Sequence, residues 1–441
     1  MNFAIDIERY YRELENVPLF RTIGKVTRIT GLLVESEGPE TSIGSICTIY
    51  SKNGKISIEA ETLGFRGNKL LLMPLNDIRG IGPGCKVIVK EQNATMSVGK
   101  QLLGRVIDGV GKPIDGKGPI KSIEKYPIYA DPINPILRPR IKKPVETGVR
   151  AIDGLLTVGC GQRIGIFAGS GVGKSVLLGM IARHSNADIN VIGLIGERGR
   201  EVNEFIENEL GSSGLNKSVV VAATSDNPPL IRLRGAYIAT TIAEYFRDLG
   251  YHVNLLMDSV TRFATSQREV GLALGEPPTA KGYTPSVFAL LPKILERAGT
   301  SINKGEITGY YTILVEGDDM NDPIADSVRS IIDGHIVLTR ELANQNQYPA
   351  IDVLKSISRV MNNIIDKDHL DNANKFKSIL ATYQKAEDLV NIGAYITGSN
   401  KKIDEAIQLI EKIRGYLKQD ANSVVKFERS ISELKNIVSN N

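Results

Sequence analysis

The sequence predicts an α/β core with a parallel sheet, a small β-barrel or sandwich ahead of it and a helical domain behind it. Three observations carry this. Short β-type runs, TRITGLLVE, SICTIY, KISIEAETL, KLLLMPL and CKVIVK, fill the stretch from Thr22 to about Lys90, with Gly and Asn between them. Further on, apolar runs such as RIGIFA, INVIGLIGE, SVVVAAT, HVNLLMDS and TGYYTILVEG alternate with helical patterns, the signature of a sheet covered on both faces. After about Asp366 strand patterns cease, and Ile403, Ala406, Ile407, Ile410, Ile413 and Leu417 mark one face of an amphipathic helix.

Along the chain, residues 1–21 come first. Ile7, Tyr10, Tyr11 and Leu14 fall at helical spacing and Pro18 stops the pattern. Residues 22–95 form the expected β-domain. Residues 96–365 form the α/β domain, whose entry is a strap at 126–148 carrying Pro127, Pro132, Pro135, Pro139 and Pro144, too many prolines for a helix. Residues 366–441 form the helical domain. With 441 residues, several cores are expected rather than one.

Bulk composition excludes several classes. Hydrophobic residues make up 42% and charged residues 24%, as in a soluble globular protein. The net charge of +4, without a long basic tract, does not mark a nucleic-acid binder. Cys47, Cys85 and Cys160 lie far apart, with no C-x-x-C, so buried free thiols are expected rather than disulfides or a zinc ribbon. The N-terminus has no secretory pattern. No apolar run approaches the ~18 residues of a membrane span. A cytoplasmic protein is expected, reaching a membrane only through partners.

The chemistry concentrates in AGSGVGKS, Ala168, Gly169, Ser170, Gly171, Val172, Gly173, Lys174 and Ser175, which continues through Val176 into a helix. It follows the P-loop pattern with Ala at the first position. Gly171 and Gly173 allow turns that direct successive N–H groups at phosphate oxygens. The following helix offers its N-terminus to the same anion. Lys174 can reach the β- and γ-phosphates, and the Ser175 hydroxyl can ligate magnesium. The buried-strand and helix flanks set this apart from a chance glycine-rich turn.

Two carboxylates extend the site. Asp258 ends the apolar strand HVNLLMDS. It can hold a magnesium-bound water, or cap the next helix, or both. Glu197 follows INVIGLIG at a strand end, where ligands of open parallel sheets gather. There it can polarise an attacking water, or pair with Arg198 or Arg200. Arg359 reads as a surface charge beside a sheet edge, or in a ring as a group reaching a neighbour's γ-phosphate. Asp318, Asp319, Asp322 and Asp326 lack the alternate-ligand pattern of a calcium loop, and read as a solvated loop before a helix opened by Pro323.

AGSGVGKS, IGERGREV, LLMDSVTRFA, GEPPTAKGYTPSVFALLPKILERAG, VEGDDMNDPIADSVRSIIDGHIVL and YPAIDVLKSISRV, in this order, closely resemble the flagellar protein-export and type III secretion ATPases, relatives of rotary F- and V-type catalytic subunits. The likeness runs from about Thr22 to about Leu417. It implies an α/β fold with a RecA-like P-loop ATPase core, an N-terminal β-barrel and a C-terminal helical domain. It makes Glu197 the catalytic glutamate with Arg198 beside the phosphates, and Asp258 the acid behind a Mg2+ cofactor. Arg262 would sit near the site, Arg359 would be a finger supplied in trans, and Tyr348 would pack against adenine; a core aromatic is the other reading of Tyr348.

The resemblance also implies a homohexamer, a stator-like regulatory protein on the N-terminal helix, and a coiled-coil stalk protein in the pore. Export-gate membrane proteins and chaperone–substrate complexes would be further partners, with peripheral association at the inner membrane. Flagellar export is the expected branch and virulence-type secretion the alternative. A Rho-like RNA translocase and a non-hydrolysing ring subunit are the remaining alternatives. The first lacks base-stacking aromatics, with only Tyr50 and Phe65 between Thr22 and Lys90; the second conflicts with Glu197.

Overall fold

A computed structural model describes residues 22–121, 124–302, 304–315, 317 and 319–439. The expected helix at residues 1–21 lies outside them, as does Asp318. Two compact units divide the chain between Ala94 and Thr95.

The first unit is a closed barrel. Its strands are β1 (Ile23–Thr30), β2 (Leu33–Glu37), β3 (Ile46–Tyr50), β4 (Ser57–Arg66), β5 (Lys69–Pro74) and β6 (Lys86–Glu91), in the order β1-β2-β5-β4-β3-β6. Val26, Val34, Cys47, Ile49, Ala60, Leu72 and Val87 fill its interior. TRITGLLVE reads in sequence as one β-type run. The chain instead reverses within it at Gly31, whose φ of +57° suits glycine, so the run becomes the β1–β2 hairpin.

The second unit opens with β7 (Thr95–Val98), paired with β9 (Glu124–Pro127), so the first residues of the proline-rich strap are strand. The main sheet uses β8 (Arg105–Asp108), β10 (Arg163–Ala168), β11 (Ile189–Ile195), β12 (Ser218–Ala223), β13 (His252–Asp258), β14 (Glu306–Leu314), β15 (Gly334–Leu338) and β16 (Ile357–Ser358). Their order is β16-β15-β10-β14-β13-β11-β12-β8, parallel except for β16. β8 was not anticipated: RVID is only four residues long, and its pairing partner β12 lies over a hundred residues on. The helix read in REVNEFIENEL is interrupted. Gly199–Glu204 widens into a π turn at Phe205–Leu210, and Gly211, at φ +62°, opens a second short helix, Gly211–Asn216.

Two arginines hold the strap. Arg138 donates to the carbonyls of Ile133 (3.1 Å) and Ala298 (3.0 Å). Arg297, 1% exposed, donates to Ile128 O (2.7 Å), Thr241 Oγ1 (3.0 Å) and both carboxylate oxygens of Glu244 (3.0 and 2.5 Å). Such a buried cation is tolerated because each face of its guanidinium fork meets an acceptor.

Helices Lys367–Asn391, Lys401–Leu417 and Phe427–Ser439 form the C-terminal region. They pack on the short buried helix Arg150–Leu155, where the Arg150 guanidinium lies 5.2 Å from the Tyr416 ring centroid and 2.7 Å from Glu433. The Tyr416 hydroxyl donates to Ser430 O (3.0 Å) beside Gly154, and a Cβ on Gly154 would lie 1.9 Å from that hydroxyl oxygen. Gly154→Ala is therefore expected to cost about 1–3 kcal/mol by overpacking. A urea-unfolding midpoint equal to that of the parent protein would show the seam to be softer than this. Gln419 completes the seam: it accepts from Arg150 N (2.8 Å), donates through Nε2 to Gly148 O (2.7 Å), and its amide donates to Tyr348 O (2.9 Å).

Candidate functional site

Parallel register brings the ends of the central strands to one edge. Ala168 pairs with Leu314 and Leu338, and Leu194 pairs with Asp258. The loop of residues 169–173 leaves β10 at this edge and enters the helix Lys174–His184. Gly171 and Gly173 take φ of +78° and +90°, the conformations a phosphate-cradling loop needs. Gly173 caps that helix with no side-chain hydrogen bond, leaving first-turn N–H groups for an anion. Ser170 and Ser175 are exposed at the loop, while Ala168, Gly169 and Val172 are buried beneath it and Val176 is half-buried.

Lys174 turns back over the sheet edge. Its Nζ donates to Asp258 Oδ1 (2.5 Å) and to Glu197 Oε1 (3.4 Å). Burial disfavours the ammonium, but the two carboxylates outweigh it and hold the lysine above its ordinary value. Burial, together with the charge of Asp258, pushes Glu197 up to about 7, against the pull of Lys174. A carboxylate poised there exchanges protons near neutral pH.

Geometry bears on the capping and pairing readings of the two carboxylates. The helix Val260–Leu274 is capped by Ser259, whose side chain accepts from Arg262 N, and not by Asp258. Asp258 instead accepts from Lys174 and from Thr312 Oγ1 (2.7 Å). Glu197 faces Lys174, while Arg198 pairs with Glu201 (3.7 Å) and Arg200 with Glu204.

The other named residues divide. Arg198 is 77% exposed at the start of its helix. Arg262 is also exposed, and its stem crosses Gly196, where a Cβ would meet the Arg262 Cβ at 2.8 Å. Glycine, at φ +71°, is what lets the Arg262 stem pass so close to the backbone just before Glu197. Tyr348 is 44% exposed and so not a core aromatic; its ring edge would lie 3.6 Å from a Cβ on Gly173, directly beside the loop.

Arg359 is not with them. It is exposed, its amide donates to Asp333 O (3.0 Å) and its guanidinium to Arg329 O (3.2 Å). Asp333 also binds Arg163, which opens β10. The whole of β10 thus separates Arg359 from the loop of its own chain, roughly 17 Å at about 3.3 Å per residue. Asp322, with Pro323 after it, caps the helix Pro323–Ile331, and Asp319 and Asp322 pair with Lys281 at 3.5 and 3.4 Å.

Among the described residues no group of three or more His, Cys, Asp or Glu is arranged to hold a metal alone. The hard oxygens of Ser175 and Asp258 beside a phosphate cradle fit magnesium, which keeps waters and is shared with substrate phosphates. Sequence reasoning passed over Thr312; the available signal was a short hydroxyl side chain among the large residues of YYTILV.

Family models match three stretches: the ATP synthase alpha/beta family β-barrel domain at residues 26–89, its nucleotide-binding domain at 148–358, and the type III secretion EscN ATPase C-terminal domain at 365–436. The chain is 56% identical to the flagellum-specific ATP synthase of Bacillus subtilis, over 97% of this chain and 98% of that protein. Its fold matches the assembled ATPase EscN of the enteropathogenic E. coli type III secretion system, with TM-score 0.89 and 47% identity over 94% of this chain and 100% of that one. EscN in complex with its central stalk EscO matches with TM-score 0.87 and 46% identity, over the same shares.

Proposed function

The chain belongs to the family of flagellum-specific and type III secretion ATPases and hydrolyses ATP, and from this premise we propose that it works as a homohexameric ring that drives export of flagellar proteins. The observation that carries the ring is the separation within one chain of Arg359 from the Lys174–Asp258–Glu197 trio. A second copy, turned so that its Arg359 edge meets this loop, would complete the site.

In this reading Gly171, Gly173 and Val176 present backbone N–H groups to the phosphates. Lys174 leaves Asp258 for the β- and γ-phosphates, and Tyr348 stacks on the base. Ser175 would ligate magnesium directly and Asp258 through a water; the ion, when bound, neutralises phosphate charge. Glu197 orients the attacking water and takes its proton. Arg359 of a neighbouring copy stabilises charge developing on the transferred phosphoryl group. Arg198 and Arg262 flank the trio, where their charge would favour the polyanion.

Identity to the Bacillus flagellar protein supports the flagellar branch, and the EscN–EscO complex supports a stalk partner in the pore. The stator-like, export-gate and chaperone partners remain part of the same proposal, and the stator contact would use residues 1–21. No described helix is long and apolar enough to cross a membrane; peripheral association with the export gate is part of the same proposal.

A site completed by assembly predicts that specific ATPase activity rises with protein concentration and tracks the ring fraction. Activity measured alongside light scattering checks this; full activity in demonstrably monomeric protein would end the ring reading.

A further inference from the structure

We propose that Thr312 is a positioning residue for the magnesium site: its hydroxyl fixes Asp258 so that one carboxylate oxygen, Oδ2, faces the metal's water. This rests on the reading of Asp258 given above.

The argument begins with strand order. β14 lies between β10, which carries the phosphate loop, and β13, which ends in Asp258. Thr312 pairs with Ile166 of β10, and its neighbour Tyr311 pairs with Met257. It therefore stands between the two functional strands, and the register that pairs Tyr311 with Met257 brings it level with Asp258. Its side chain is fully buried, and a β-branched residue in a strand has little χ1 freedom. The Thr312 hydroxyl has one proton and two acceptors nearby, Asp258 Oδ1 at 2.7 Å and Met257 O at 3.2 Å; the shorter, charge-assisted contact takes it.

Asp258 is 2% exposed, and both recorded donors to it, Thr312 and Lys174, use Oδ1. Among the described residues none donates to Oδ2. When Lys174 moves to the phosphates, Oδ1 keeps only Thr312. Without that hydroxyl a buried carboxylate oxygen is left unpaired and the group is free to rotate, losing the direction in which Oδ2 points.

The test uses the full chain in three variants, Thr312→Val (same shape), Thr312→Ala and Thr312→Ser (hydroxyl kept). Two quantities are read: the magnesium concentration for half-maximal ATPase activity, and the magnesium-induced gain in mant-ATP binding followed by fluorescence. Metal-free mant-ATP binding reports an intact loop. Valine and alanine are expected to raise the magnesium requirement about ten-fold in both readouts, the lower end of the usual outer-shell loss. Serine should stay within about two-fold of the parent, since it retains the donor.

A parental magnesium response in either hydroxyl-free variant overturns the proposal, as does a serine variant as impaired as the valine one. Asp258→Asn separates the two layers. If it leaves the magnesium response unchanged, the reading of Asp258 fails. If it abolishes the response while Thr312→Val does not alter it, only the role of Thr312 fails.

Discussion

Arg359→Ala is expected to reduce ATP turnover by about 10³–10⁵-fold, the range over which an arginine finger acts. Nucleotide binding should persist, because the loop of residues 168–175 owes nothing to Arg359 of the same chain. The size of the effect follows from where charge develops. As the phosphoryl group transfers, negative charge grows on oxygens that Lys174 alone cannot neutralise, and a guanidinium placed there in a dry seam acts with little screening. Within one chain Arg359 sits beside Asp333 and Arg329, at the opposite end of β10 from the loop.

The trans arrangement has its own readout. Mixing Arg359→Ala with Lys174→Ala protein places intact loops next to intact arginines at some seams. Activity should return in mixed rings although each variant alone is inactive. If rings shown to contain both variants stay inactive, the arginine does not act across the seam.

The second large effect concerns Glu197. Glu197→Gln should lower turnover by about 10²–10⁴-fold, the usual contribution of a positioned base, with mant-ATP binding retained. Its elevated pKa adds a directional test. The carboxylate works in its deprotonated form. Since burial and Asp258 push the group up to about 7, kcat/KM should rise between pH 6 and 8 and flatten above. The glutamine variant should lose that inflection. An unaltered pH profile in Glu197→Gln would assign the titration to another group.

Much of this was legible because the sheet is parallel and buried. Continuous apolar runs such as INVIGLI mark their own ends, and functional residues of such a sheet gather where the runs stop. The sequence alone therefore places Ala168, Glu197 and Asp258 at strand ends. Which residue caps the next helix could not be read there, because DS before a helix offers two capping residues, and only the structure shows that Ser259 makes the bond.

Thr312 escaped for a related reason. Its importance lies in which strand β14 adjoins, and strand order is not written in local periodicity. β8 was hidden likewise, a four-residue edge strand whose partner is distant in sequence. The β1–β2 hairpin escaped because β-type residues flank Gly31 on both sides with no proline or Asn-Gly to punctuate them.

Gln419 has a mechanical consequence. Its main-chain bond to Tyr348 and its side-chain bonds to the 148–150 turn pin the end of the Lys401–Leu417 helix to the segment whose phenol ring borders the phosphate loop. If a base stacks on that ring as proposed, a shift of the Tyr348 backbone would pull on the bond to Gln419. Movement at the loop's border would thereby be felt at the helical region, through a single glutamine bonded to both.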